Sequence, residues 1–117
     1  MSTADPITTS VAHRDGAAVV SIGGEIDLST APAFERAITE ALERHPSVLA
    51  IELSGVTFMA SVGLRVLAAT NEKFGDTTRI AVIANSPATS RPIQLTGLDG
   101  VVALFPTLDA ALHPTDD

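Results

Sequence analysis

The sequence predicts one α/β domain, a mixed and mostly parallel sheet of four to five strands with about four helices. Three observations predict it. Residues 48–53 and 80–84 are near-continuous apolar runs of strand length, the pattern of strands covered on both faces. Amphipathic segments with helical spacing separate them. An Asp15-Gly16 pair divides two further strand-length segments, residues 7–14 and 17–23, and marks an opening hairpin.

Taken in order, the first helix covers residues 30–44. Phe34, Ala37, Ile38, Ala41 and Leu42 recur on one face while Glu35, Arg36, Glu40 and Glu43 face away. Ser29 or Thr30 caps it, and Pro32 sits in its first turn. Residues 61–74 form a second helix, with Ser61 read as its N-cap and Gly75 as its stop. Ser86-Pro87 opens a third that ends at Gly97; with Pro92 inside, either it begins nearer Ser90 or it is kinked. Residues 101–105 are a weaker fifth strand and 107–112 a short closing helix. Residues 1–6 read as a disordered N-terminus, 7–112 as the domain, and 113–117 as a flexible tail. The order is β-β-α-β-α-β-α-β-α, without linker or repeat.

Composition narrows the function. With 117 residues the chain can bury a core of its own. It has no cysteine, so a disulfide, a thiolate nucleophile and a cysteine-based zinc site are excluded. Residues 1–6 carry Asp5 and no basic residue, unlike a signal peptide, and no apolar run approaches the roughly eighteen residues of a membrane span. A soluble, cytoplasmic protein is expected. Fourteen acids against seven Lys and Arg give a net charge of −7, and there is no Trp or Tyr. Neither a basic stripe for phosphates nor an aromatic platform for bases is present, so direct nucleic-acid binding is not expected.

Strands joined by crossover helices run parallel, and open α/β sheets place their sites at the carboxyl edge. The junctions there are residues 24–29, 54–61 and 85–87, which should bring Asp27, Ser61 and Asn85 together. Each also has a purely structural reading: Ser61 as an N-cap, Asp27 as an Asx-type turn residue, Asn85 as a turn residue before Ser-Pro. Catalysis has little support. His13, His45 and His113 are dispersed away from this edge, and no nucleophile elbow, P-loop, dinucleotide fingerprint or metal cluster occurs. No catalytic residue, metal ligand or cofactor is therefore assigned, and binding of a partner protein is the expected role.

Residues 24–31, Gly-Glu-Ile-Asp-Leu-Ser-Thr-Ala, resemble the G-E-(L/I)-D-x-x-(T/S)-A junction of STAS domains, the anti-sigma-factor antagonists. Residues 53–64, from Leu53 through Phe58, Ser61 and Gly63 to Leu64, resemble that family's L-x-x-(V/L)-x-F-(M/I)-D-S-(S/T)-G-L signature. Ser86-Pro87 and Thr96-Gly97-Leu98 match its third helix. The resemblance covers residues 7–112 and implies the STAS (sporulation anti-anti-sigma-like) fold. It implies an antagonist that binds an anti-sigma factor of the GHKL serine-kinase type and so releases a sigma factor. That kinase would phosphorylate Ser61, and a cognate phosphatase would reverse it. Partner contacts are expected from Asp27, Ser29, Ala60, Ser61, Val62, Gly63, Leu64, Arg65 and Asn85, with Gly63 leaving backbone open to the partner. The usual Asp before the serine is Ala60 here, and the usual second Ser/Thr is Val62, so slower phosphorylation with retained partner binding is expected. A STAS subunit docked on a lipid-import ABC transporter is the alternative implied. The sequence leaves the oligomeric state open.

Overall fold

Asp15 and Gly16 both adopt positive φ, 51° and 82°, the pair of left-handed residues that a two-residue hairpin turn requires. They join strands β1 (Ile7–Arg14) and β2 (Ala17–Ile26), which pair antiparallel from Arg14↔Ala17 outward. The computed structural model describes residues 7–113, so the expected disordered N-terminus and the end of the expected tail lie outside the described residues. Beyond the hairpin follow helix α1 (Ala31–Leu42), strand β3 (Val48–Met59), helix α2 (Ser61–Phe74), strand β4 (Arg79–Ile83), helix α3 (Pro87–Leu95), strand β5 (Ala103–Phe105) and helix α4 (Leu108–Leu112). A single 3-10 turn, Leu98–Gly100, links α3 to β5.

The five strands lie in sequence order, β1-β2-β3-β4-β5, and every pair after the hairpin is parallel. Helices α1, α2 and α3 cover one face. Phe34, Ile38, Leu67 and Ile93 are buried there against Val20, Leu49, Ile51 and Val82, so α1 forms for the reason its sequence gives: its apolar stripe has a sheet to cover. The short α4 covers the other face of the central strands, with Ala111, Leu108 and Leu112 on Ala50, Ala81 and Ile83. Arg79 fixes it there: its guanidinium donates to the Ala111 carbonyl at 2.6 Å and lies 5.9 Å from the Phe105 ring centroid.

The largest difference from the sequence reading is in β3, which continues from Leu53 to Met59, with β2 extending beside it from Gly23 to Ile26. Between Glu52↔Ser21 and Gly55↔Gly23, β3 advances three residues against two in β2; between Val56↔Gly24 and Phe58↔Glu25 it advances two against one. These are two one-residue β-bulges. Each resets which face the next side chain takes, so Leu53, Val56 and Met59 are all buried at three-residue spacing while Thr57 and Phe58 stay exposed. A strand of period two was therefore invisible past Leu53. In α3 the helix begins at Pro87, not near Ser90, and accommodates Pro92 in its interior.

The bulged register can be tested by stability. Met59→Ala is expected to cost about 2–5 kcal/mol, as removal of a buried methionine does, whereas Phe58→Ala should fall within about 0.5 kcal/mol of the parent as a surface change. Urea denaturation of the two variants checks this; a reversed order would mean that the strand is not bulged.

Candidate partner-binding site

The ends of β2 and β3 project beyond β4, and their last paired residues are Ile26 and Met59. The Ala60 N–H donates to the Ile26 carbonyl at 2.8 Å, which brings the start of α2 against the turn that follows β2. Asp27 and Ser61 thus belong to one tip.

Asp27 builds its own turn. Its carboxylate accepts the Ser29 hydroxyl at 2.7 Å, the Ser29 N–H at 2.9 Å and the Thr30 N–H at 3.1 Å, and its carbonyl accepts the Ala31 N–H at 2.8 Å. Of the two N-caps the sequence allows for α1, Ser29 or Thr30, the structure has Thr30, though without a side-chain cap hydrogen bond. Thr30 is the N-cap residue by position, but its buried hydroxyl points backward, accepting from the Asp27 N–H and donating to the Glu25 carbonyl, each at 2.8 Å. The Ser29 hydroxyl above all, with the Thr30 and Ser29 N–H groups, holds the Asp27 carboxyl below its ordinary value of 3.8. The turn presents Leu28 at its apex, 79% exposed.

At α2, position 60 is the N-cap and Ser61 is the first helical residue, not the cap. Ala60 has no side-chain acceptor, and the N–H groups of Ser61 and Val62 find none among the described residues. An Asp at position 60 would sit where a carboxylate accepts such N–H groups. Ser61 is exposed, and its hydroxyl makes no hydrogen bond to a described residue. Beside it lies a shallow groove of about 280 Å³ lined by Ser61, Leu64, Arg65, Ala68, Thr96 and Leu98. Arg65 is exposed; Val62 and Leu64 are half-buried.

Gly63 departs from the expectation that it opens the backbone to a partner. It is buried and faces inward: a Cβ there would stand 2.7 Å from Met59 Cγ and 2.9 Å from Ile26 Cγ2. Its role is to let α2 approach the strand tip. Asn85 also departs. Its amide donates to Ser54 Oγ at 3.0 Å and to the Pro106 carbonyl at 3.3 Å, bracing the ends of the central strands. Ser54 lies five residues before Met59 on β3, on the order of 15 Å at the strand rise, so Asn85 stands apart from the Asp27–Ser61 tip. Phe58, 51% exposed, and Leu28 were not singled out from the sequence as contacts, although a large apolar side chain exposed beside the serine is the kind of feature that marks an interface. Leu95, one residue from the groove wall, is 79% exposed. The histidines are remote: His13 and His45 line a depression at the opposite end of the sheet.

This five-stranded mixed sheet with three helices on one face is the architecture of a STAS domain, and residues 8–111 match the STAS domain model. The chain belongs to the STAS domain family. It is 53% identical over 112 residues to the anti-sigma-F factor antagonist RsfB of Mycobacterium tuberculosis, covering 96% of this chain and 92% of that one. It is also 53% identical to an anti-sigma factor antagonist from Mycobacterium paratuberculosis whose crystal structure superposes with a TM-score of 0.90 over all of both chains. The anti-sigma factor antagonist SpoIIAA in its unphosphorylated form shares the fold, with a TM-score of 0.73 at 17% identity over 90% of this chain and 93% of that one.

Two measurements test the tip. Gly→Ala inside a helix ordinarily stabilises by up to about 1 kcal/mol, but Gly63→Ala is expected to destabilise by about 1–3 kcal/mol, because Met59 and the branched Ile26 must both move. A gain of stability would mean that α2 does not approach the tip this closely. For Asp27, the unfolded chain takes up the proton at higher pH than the folded one. Its stabilising contribution is therefore complete above the ordinary carboxyl value and is lost as pH falls through and below it. Asp27→Asn should flatten the fall in the urea midpoint between pH 5 and pH 3, a range of about two units around the carboxyl values; parallel curves would show that Asp27 does not carry this dependence.

Proposed function

We propose that this protein is an anti-sigma factor antagonist that binds its anti-sigma factor through the tip formed by Leu28, Ser29, Phe58 and the start of α2, and that phosphorylation of Ser61 weakens that binding. The observation that carries the reading is the state of Ser61. It is an exposed hydroxyl, without a hydrogen bond to any described residue, at the first position of a helix whose preceding strand carries the exposed Phe58. The name of RsfB, an anti-sigma-F factor antagonist at 53% identity across nearly the whole chain, supports the partner class. The partner is a cytoplasmic anti-sigma factor of the serine-kinase type, with a phosphatase to reset the serine. The antagonist itself acts by binding, not by catalysis.

The physical basis of the switch is local. A phosphate on Ser61 adds roughly −1.5 to −2 charges at neutral pH beside the open N–H groups of α2, where the helix dipole favours an anion, so the fold can accept it unchanged. The same charge then occupies the middle of an apolar contact. Desolvating it without a partner cation costs on the order of a few kcal/mol. The exposed Leu28, Phe58 and Leu95, with the half-buried Leu64 of the groove beside the serine, are the apolar side chains available to such a contact, and Arg65 supplies a charge for orientation.

Calorimetric titration against the purified anti-sigma factor, paired with thermal melts, tests this. Because Ser61 is not the cap, Ser61→Ala is expected to stay within about 0.5 kcal/mol of the parent in stability and to bind normally. Ser61→Asp should fold as well or slightly better, with an acid in the first turn, yet bind at least about tenfold more weakly. Leu28→Ser should leave the melt unchanged and weaken binding by about tenfold. Full affinity in Ser61→Asp would sink the charge switch, and full affinity in Leu28→Ser would move the interface elsewhere.

A further inference from the structure

At the end of the sheet remote from Ser61, the β1–β2 hairpin meets the connection between α1 and β3. The Ser47 N–H and hydroxyl both donate to the Gly16 carbonyl, at 2.9 and 3.3 Å, and the Arg79 N–H donates to the Ser47 carbonyl at 2.9 Å. The two loops are therefore held together. Between them is a depression of about 520 Å³ whose charged and titratable walls are His13, Arg14, Asp15, Arg44 and His45. An adjoining depression of about 430 Å³ shares Arg14, Asp15, Ala17 and Ser47 and adds Asp109 of α4 and His113, the residue after it.

This grouping runs against the rest of the chain. Acids outnumber Lys and Arg fourteen to seven overall, and the chain has three histidines. The first depression gathers two arginines and two histidines against one aspartate. The walls carry +1 with both imidazoles neutral, two Arg less one Asp, and +3 with both protonated. Arg79 is committed to Ala111, whereas neither Arg14 nor Arg44 donates a guanidinium hydrogen bond to a described residue. His45 is at φ 51°, a left-handed conformation uncommon outside glycine. Its N–H is held by the Leu42 carbonyl at 3.0 Å, and this turn swings Arg44 and His45 from the end of α1 toward the hairpin.

We propose that this depression binds a phosphate-bearing small molecule, held by the guanidinium forks of Arg14 and Arg44 with the imidazoles of His13 and His45 as further donors. Each fork matches two oxygens of a tetrahedral phosphate, and two forks match its two charges, which a single carboxylate would not satisfy. Recognition rests on the phosphate group, which the Arg and His donors of the walls address. The site lies at the amino ends of the parallel strands and Ser61 at their carboxyl ends, on the order of 30 Å away along β3. Such a ligand leaves the partner-binding tip free, and the proposal stands independently of what binds there.

The test is a titration of the full chain followed by amide NMR shifts, with sodium pyrophosphate, and separately inorganic phosphate, added at constant ionic strength balanced by sodium chloride. Saturable shifts confined to residues 13–17 and 43–48 are expected, tighter for pyrophosphate. Because both arginines are exposed, the double variant Arg14→Gln, Arg44→Gln should keep the parent spectrum elsewhere and bind at least about tenfold more weakly, the loss expected for charge-assisted hydrogen bonds. Saturable shifts with pyrophosphate but not with phosphate would assign the site to polyphosphates. Shifts centred on Ser61 and Val62, shifts that never saturate or that chloride reproduces, or undiminished binding by the double variant would each overturn the proposal.

Discussion

Parallel pairing of β2 with β3 continues to Ile26↔Met59, and that contact decides where everything at the functional end can stand. Without the two bulges β3 would put Val56 and Met59 on alternating faces, and the strand would have no reason to stay paired past Leu53. With them, three buried side chains in a row tie the strand down. The Ala60 N–H on the Ile26 carbonyl then fixes the first residue of α2 beside the turn after β2. Gly63 allows the helix to lie close enough for Met59 and Ile26 to pack against its backbone.

From this follows a division between what is used internally and what is left for a partner. Asp27, Thr30 and Gly63 are consumed in holding the tip together. Leu28, Phe58 and Ser61 are what remains outside. The tip therefore presents apolar area together with the Ser61 hydroxyl, while the Ser29 hydroxyl is turned to Asp27. Ala60 has no carboxylate to place beside the first N–H groups of α2, so under the proposed function a phosphate on Ser61 would be the dominant negative charge at that end of the helix. The cations of the α1–β3 connection stand at the other end of the sheet, where they cannot screen it.

Legibility varied with the range of the interactions involved. The hairpin was readable because Asp15-Gly16 is a local requirement of two positive φ angles. Helix α1 was readable because Phe34, Ile38 and Leu42 repeat on one face. The second half of β3 was not, since its period of three comes from a mismatch with β2 that no inspection of β3 alone reveals. Ser61 was placed one position out for a related reason: serine is a favoured N-cap, but Ala60, held by Ile26, already occupies that position. Asn85 was grouped with Asp27 and Ser61 on the assumption that parallel strands end level; β2 and β3 overrun β4 instead.

By itself, then, the sequence determined the layer architecture, the order of elements, the family resemblance and the identity of the exposed serine, because these rest on local periodicity, turn chemistry and motif spacing. Tertiary structure decided which side of the backbone each residue of the signature faces. Gly63 turned inward to meet Met59 and Ile26, and Leu28 and Phe58 turned outward. It likewise brought Arg14 and Arg44, thirty positions apart in the chain, to one depression. Those outcomes depend on strand register and on contacts between segments distant in sequence, and neither is encoded in any single stretch of the chain.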